Sequence, residues 1–213
     1  MSTVLFGAAY SVYVRSARLA LEEKGVPYRL EEIDIFAPGG PPPSYRERQP
    51  FGRIPAFEHD GFRLYETGAI TRYVDEAFAG PPLQPDEAKV RARMNQAISI
   101  LDNYAYRTLV WDIFVERVRA PKQGRTADEA KIAAALPKAA TCLAALEAIM
   151  GDGDYLAGDA LTLADLHAAP MIAYFRLAED GAALLGRHHA LAAWWQRIAQ
   201  RRSIETVCLP PPS

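Results

Sequence analysis

Two short stretches carry residues whose types and order could hold a small peptide: Gln49-Pro50-Phe51-Gly52-Arg53-Ile54-Pro55 and Leu64-Tyr65-Glu66-Thr67. Pro50 and Gly52 mark a turn. Pro55 has no N–H to give to a ladder, so it belongs at the start of a strand, here Ala56-Phe57-Glu58, or on an unpaired edge. A proline also pushes the residue before it into extended geometry. Ile54 is thereby free to turn its N–H and C=O outward, beside an open sheet edge, and to accept a peptide as an added strand. His59-Asp60-Gly61 reads as a hairpin turn and Phe62-Arg63-Leu64 as the return strand. Thr67 is then the N-cap of a helix over Gly68 to Phe78. The start of that helix offers free N–H groups and a partial positive charge to a carboxylate. One stretch of chain supplies both a peptide-pairing edge and an anion socket.

These residues need elements to hold them. Thr3-Val4-Leu5-Phe6 is a short apolar stretch with the character of a buried strand, and Gly7 to Ser11 is a connection of mostly small residues. Val12 to Lys24 carries an apolar stripe through Val14, Ala17 and Leu21 and stops at Gly25, with Pro27 beyond, as a helix does. Tyr28 to Ile35 reads as a second strand. Strand, helix and strand in succession form a βαβ unit with parallel strands. Pro38 to Pro43 is an exposed loop, and Ser44 to Gln49 a short helix. Residues 1–79 are therefore an α/β domain, βαβ then ββα, followed by a proline-marked linker at 80–85.

Residues 86–213 read as helix. A long helix covers Asp86 to about Val118, with Met94, Ile98, Leu101, Ala105 and Leu109 at helical spacing. A second apolar seam runs from Ile132 through Ala139, Cys142, Leu143 and Leu146 to Met150, and Pro137 within it must kink the helix or split it. At Leu161-Thr162-Leu163-Ala164-Asp165-Leu166, Thr162 caps a helix, Asp165 reaches back and Leu161 packs on Leu166. That helix runs to about Ala178. A last one spans His188 to Arg201, with Trp194 and Trp195 in the core, and the tail to Ser213 is irregular.

Half of the 213 residues are hydrophobic, enough for one large domain or two small ones. A formal net charge of -2 gives no reason to expect nucleic acid or an anionic membrane as partner. The cysteines Cys142 and Cys208 match no metal or redox spacing, and the histidines show none either, so no metal site is expected. The N-terminus lacks a basic n-region, and no run approaches the roughly 18 apolar residues of a membrane span. A cytoplasmic protein in a reducing compartment is the expectation.

In this order the motifs resemble those of a cytosolic glutathione S-transferase over nearly the whole chain. The run Ser11 to Leu21 is similar to the first helix of the serine-type classes, such as phi, theta and tau. Gln49 to Pro55 is similar to the family's Asn-Pro-x-Gly-x-Val/Ile-Pro, Glu66 to Ile70 to its Glu-Ser-x-Ala-Ile, and Thr162 to Asp165 to its second-domain capping box. The resemblance implies a thioredoxin-like N-terminal domain that holds glutathione and an all-α C-terminal helical bundle domain that lines a site for an electrophile. It implies that Pro55 is cis and that the backbone of Ile54 pairs with the cysteinyl part of glutathione. Glu66 would take the γ-glutamyl ammonium and Thr67 its carboxylate, with Arg53 near the tripeptide and Gln49 in the same binding motif. Gln49 replaces the usual Asn and Thr67 the usual Ser, and both keep the donor and acceptor types. The resemblance also implies a homodimer, with Phe51 and the long helix near Arg93 and Met94 at the interface. Glutathione would be a co-substrate, with no covalently bound cofactor.

The chemistry so implied is thiol activation, because the thiolate is the nucleophile. With an ordinary pKa near 8.5, only about 3% of a thiol is ionised at pH 7; a drop of about two units makes the thiolate the majority form and amounts to roughly 2.7 kcal/mol. Ser11, at the start of the first helix, would donate its hydroxyl to the sulfur together with the helix N–H groups. Tyr10 beside it offers a competing phenol, and the serine-type motif favours Ser11. Arg15 and Arg18 could add positive potential, although arginines on a helix face are more often solvated. For the electrophile, Tyr104, Tyr106 and Trp111 put aromatic rings on the long helix, and Tyr13 on the first helix, with Ala9 before it, could approach from the other side; core or interface packing is the alternative for each ring, and Tyr104 and Tyr106 cannot share one helical face. The reading is a transferase acting in detoxification on small hydrophobic electrophiles. A non-catalytic ligand- or protein-binding module on the same fold stays open, as do glutathione-dependent isomerase, dehalogenase and peroxidase work, which use the same thiolate.

Overall fold

Strand β1 (Thr3–Phe6) leads through helix α1 (Val12–Glu23) to β2 (Arg29–Glu31), and the two strands run parallel, as a helical crossover requires. After a single turn, α2 (Pro43–Arg46), strands β3 (Ala56–His59) and β4 (Phe62–Tyr65) form a hairpin that leads into α3 (Thr67–Ala77). The computed structural model describes residues 2–208, and its sheet has the order β2-β1-β3-β4, with β3 antiparallel to both neighbours. This is the thioredoxin-like arrangement. Asp60 (φ 48°) and Gly61 (φ 86°) both take positive φ at the hairpin turn, the requirement of a tight primed turn.

Three local expectations change. Strand β2 stops at Glu31 rather than Ile35, because β1 ends at Phe6 and the Gly7 N–H to Glu31 C=O bond, 2.9 Å, is the last rung available. Helix α3 has Glu66 at its N-cap position, with Thr67 its first helical residue, and Glu66 makes no side-chain capping bond. The proline-containing stretch after α3 is bonded to the first unit. Lys24, buried at the end of α1, pairs with Asp75 at 3.1 Å and donates to the Pro81 carbonyl at 3.1 Å, while Asp75 accepts the Leu83 N–H at 2.8 Å.

The chain divides into two compact units, Met1–Leu83 and Gln84–Ser213. In the second, α4 (Ala88–Ile100) continues unbroken into a π-helix (Leu101–Arg119) and a final turn, α5 (Ala120–Lys122). The ordinary long helix expected here is corrected: its second half winds wider, with the Ala120 N–H reaching the Val115 carbonyl five residues back. Buried Leu101, Ala105, Leu109 and Ile113 recur every fourth residue, a longer step than the 3.6 of an α-helix, so wider winding keeps them on one face. Met94 is fully buried, whereas the neighbouring Arg93 is exposed.

Helix α6 (Glu129–Met150) is one segment and is not split at Pro137. Pro137 and Ala133, whose carbonyl loses its i+4 partner, are both exposed, so water can satisfy that carbonyl. By length and composition α6 could cross a membrane, against the expectation of no such segment; its buried seam packs against the π-helix instead. The chain closes with α7 (Leu163–Phe175), α8 (Glu179–Arg187), α9 (His189–Ile198) and α10 (Arg202–Val207). The last corrects the irregular tail, of which residues 209–213 lie outside the described residues.

The start of α7 is organised by Asp165, which is fully buried. Its carboxylate accepts from the Leu156 N–H (2.9 Å), the Thr162 N–H (2.8 Å), the Thr162 hydroxyl (2.9 Å) and the Trp194 indole N–H (2.8 Å). Burial pushes this carboxyl up, and the four donors oppose that by holding the charged form. Asp165→Ala strands those donors in the interior. It is expected to lower the unfolding free energy by about 3 kcal/mol or more, well beyond the ~1 kcal/mol of an exposed cap, as read from denaturant midpoints.

Candidate active site

The register of the sheet brings three segments out at one rim. Phe6 is paired with Ala56, and Ala56 with Tyr65. Residues 7–11 after β1, Ile54-Pro55 before β3 and Glu66-Thr67 after β4 therefore leave the same end of the sheet. Gly7, with φ 153°, permits their close approach: a Cβ there would lie 2.4 Å from Val14 Cγ2 and 3.2 Å from Ile54 Cβ.

Ser11 is the N-cap of α1, extended at φ -70° and ψ 129°, and its Oγ accepts the Val14 N–H at a long 3.5 Å. The oxygen is thus engaged as acceptor while the hydroxyl proton remains available to a ligand. Tyr10 is committed elsewhere. Its hydroxyl donates to Asp34 at 3.5 Å, and its ring stacks on Phe36 with centroids 6.3 Å apart. Ala9 is gripped from both sides: Arg15 Nε donates to its carbonyl at 3.0 Å, and its N–H donates to Glu32 at 3.2 Å. Arg15 thereby sits beside the turn that carries Ser11, whereas Arg18 donates to the Tyr28 hydroxyl at 2.9 Å. Ala9 and Tyr13 are half-buried.

The Ile54–Pro55 peptide is cis, and no hydrogen bond among the described residues uses the N–H or C=O of Ile54. The open edge expected beside it is corrected, since β3 is an interior strand; Ile54 is unpaired because it lies beyond the end of the ladder. The residue before it is held from beneath. The Arg53 N–H donates to Gln49 Oε1 at 3.2 Å, and the Arg53 carbonyl accepts from the Tyr45 hydroxyl at 2.6 Å. Gln49 and Tyr45 are buried, at 1% and 3% exposure, so both act on the turn from the interior, while the Arg53 side chain is exposed. Burial pushes the Tyr45 phenol well above its usual range. Tyr45 carries no signal of its own in the sequence, although it stands four residues before Gln49, on the same side of a helical turn.

Glu66 is exposed and takes φ 72° and ψ 118°, a conformation a non-glycine residue holds only when its surroundings enforce it. Its carbonyl accepts from Ala69 (3.0 Å) and Ile70 (2.9 Å), and among the described residues the N–H groups of Thr67 and Gly68 have no acceptor. An anion socket therefore stands beside an exposed carboxylate at one corner of the rim. Tyr104, Tyr106 and Trp111 belong to the other unit, on its π-helix; Tyr104 is 65% exposed and the other two are half-buried. Among the described residues no group of three or more His, Cys, Asp or Glu side chains could hold a metal ion.

Residues 5–82 match the family model for the glutathione S-transferase N-terminal domain, and residues 92–202 that for the C-terminal domain. The chain is 32% identical over 204 residues to glutathione S-transferase 4 of Zea mays, covering 95% of this chain and 90% of that one. It is 30% identical over 203 residues to a glutathione S-transferase of Hyoscyamus muticus, covering 94% and 95%. The solved structure of a glutathione S-transferase-I bound with lactoylglutathione is similar at a TM-score of 0.86 and 28% identity, over 98% of this chain and 99% of that one. A theta class glutathione S-transferase from Xanthomonas axonopodis pv. citri with glutathione bound gives 0.84 and 26%, over 100% and 99%.

Because the rim depends on the close approach at Gly7, Gly7→Ala is expected to cost about 2–3 kcal/mol of stability through overpacking, measured as a fall in the denaturation midpoint.

Proposed function

The chain belongs to the glutathione S-transferase family and is a glutathione transferase, and from that premise we propose that it holds glutathione along the rim of its first sheet and activates the thiol from Ser11 for attack on a small hydrophobic electrophile. The observation that carries this reading is the N-cap geometry of Ser11, whose oxygen serves the helix while its proton is free for a ligand.

The tripeptide lies beside Ile54 as an added strand, exchanging backbone hydrogen bonds through its cysteinyl residue. Its γ-glutamyl carboxylate meets the start of α3, where Thr67 offers hydroxyl and N–H, and its ammonium meets the Glu66 carboxylate. Arg53 lies toward the glycyl carboxylate. The sulfur then rests at the tip of α1. There the Ser11 hydroxyl and the positive end of the helix stabilise the thiolate, and the thiol proton passes to solvent. The sulfur lone pair forms a bond to the electrophilic carbon, and the bond to the leaving group breaks with its electron pair. Ser11 forms no covalent intermediate.

The proposal includes cytoplasmic residence, supported by Cys142 and Cys208, neither of which is in a disulfide. It also includes a homodimer, supported by Phe51, a 67% exposed ring set edge-on to Tyr65 at 6.1 Å.

With glutathione and a chloronitrobenzene, the wild-type protein is expected to turn over well above the uncatalysed rate; background rates across a panel of electrophiles would overturn the assignment. Ser11→Ala should lose about 25-fold in kcat/KM at pH 7, the fall in thiolate fraction from about three-quarters to about 3% when the sulfur's pKa rises by two units. Its glutathione affinity should be largely retained, and its rate profile should move up toward the pH range of a free thiol. Phe51→Ser should convert a dimer to a monomer in sedimentation at micromolar concentration; a wild-type monomer would remove the dimer from the proposal.

A further inference from the structure

Arg53 is gripped at both of its backbone groups. The turn that carries it is closed by the Gly52 N–H to Gln49 carbonyl bond, 3.1 Å. Above that bond, the Gln49 side chain takes the Arg53 N–H and the Tyr45 hydroxyl gives to the Arg53 carbonyl. Both side chains come from the segment around α2 and are buried. Neither belongs to the rim itself.

The consequence follows from peptide geometry. The Arg53 carbonyl and the Ile54 N–H are two ends of one planar unit, and in a trans peptide they point in opposite directions. The only cis bond among the described residues is Ile54–Pro55, so the Arg53–Ile54 unit is trans. A bond that fixes the carbonyl inward, on Tyr45, fixes the Ile54 N–H outward. Accepting a hydrogen bond at the carbonyl also polarises the amide and makes its N–H a better donor. The Gln49 bond fixes the preceding peptide unit in the same way, leaving Arg53 little freedom to rotate.

We propose that Tyr45 and Gln49 are positioning residues for glutathione: from the interior they preset the Arg53–Ile54 peptide so that its N–H is aimed at the cysteinyl carbonyl of the ligand. The inference rests on the reading that glutathione pairs with Ile54. Neither residue touches the reacting atoms, so their effect falls on binding and not on the chemical step.

The experiment compares wild type and Tyr45→Phe, which keeps the ring and deletes only the hydroxyl, by calorimetry with two ligands. One is glutathione. The other is γ-glutamylcysteamine, which keeps the γ-glutamyl group and the thiol but lacks the cysteinyl carbonyl. The variant should bind glutathione about five- to tenfold more weakly, the worth of one hydrogen bond. It should bind the truncated ligand as wild type does, and kcat at saturating glutathione should be unchanged. Equal weakening for both ligands, or none for glutathione, overturns the inference while the proposed function stands. Wild-type protein that binds neither ligand overturns both. Circular dichroism checks that the variant is folded; if it is not, Gln49→Met, which removes the acceptor for the Arg53 N–H, is expected to show the same ligand-selective loss.

Discussion

The first unit depends on one close contact, the approach of the β1–α1 turn to Ile54 and Val14 across Gly7. Every group assigned to the thiol tripeptide hangs from one end of a sheet only four strands wide. The register alone brings the three segments to that end. It does not bring the tip of α1 within reach of a peptide lying on Ile54; the missing side chain at Gly7 does. A methyl group there would have to displace either the first turn of α1 or the extended residue before Pro55, and the proposed site uses both.

Around that contact the backbone is held by buried polar side chains, and their cost has to be met locally. Lys24 and Asp75 are both nearly excluded from water, and a lone pair in that position would scarcely repay its desolvation. Each therefore has further partners, the Pro81 carbonyl for the lysine and the Leu83 N–H for the aspartate. Asp165 follows the same rule more strictly, with a donor for each of its oxygen lone pairs. The two units, without any common motif, solve the burial of charge in the same way: saturate it with hydrogen bonds from backbone that needs fixing anyway.

Most of this architecture is legible in the sequence because it rests on period and punctuation. The βαβ and ββα order, the Asp60-Gly61 turn, the start of α7 and the burial of Trp194 and Trp195 all follow from spacing and from special residues. Where the reading failed, a non-local fact decided the outcome. The length of β2 was set by the end of its neighbour. The N-cap of α3 fell on Glu66 because the chain turns there with positive φ, which nothing in Glu66 itself advertises. Pro137 was absorbed because it faces water, and the long helix widened where a run of buried residues at four-residue steps, slightly longer than an α-helical turn, stays on one face. Tyr45 was invisible for a further reason: an aromatic residue in a short helix looks like core, and only the partner of its hydroxyl shows otherwise.

The choice of serine at the tip of α1 can be argued from the helix itself. As caps, Ser, Asp and Asn are nearly equivalent, and an aspartate would also complement the helix dipole. It would, however, put a negative charge where, on the proposed reading, the thiolate forms. Serine satisfies the same N–H and still has a proton to give. The neighbouring positions follow the same logic: α1 and α3 carry no acidic residue in their first turns, whereas α6, α7, α8 and α10 do. Helices α2, α4, α5 and α9 also lack one, so the pattern alone does not define a site. At α3 it coincides with the Thr67 and Gly68 N–H groups, which have no acceptor among the described residues. An acid in a first turn contributes about 0.3–1 kcal/mol; α1 forgoes that stabilisation, which on the proposed reading the thiolate supplies, whereas α3 keeps an acid, Glu66, at its N-cap.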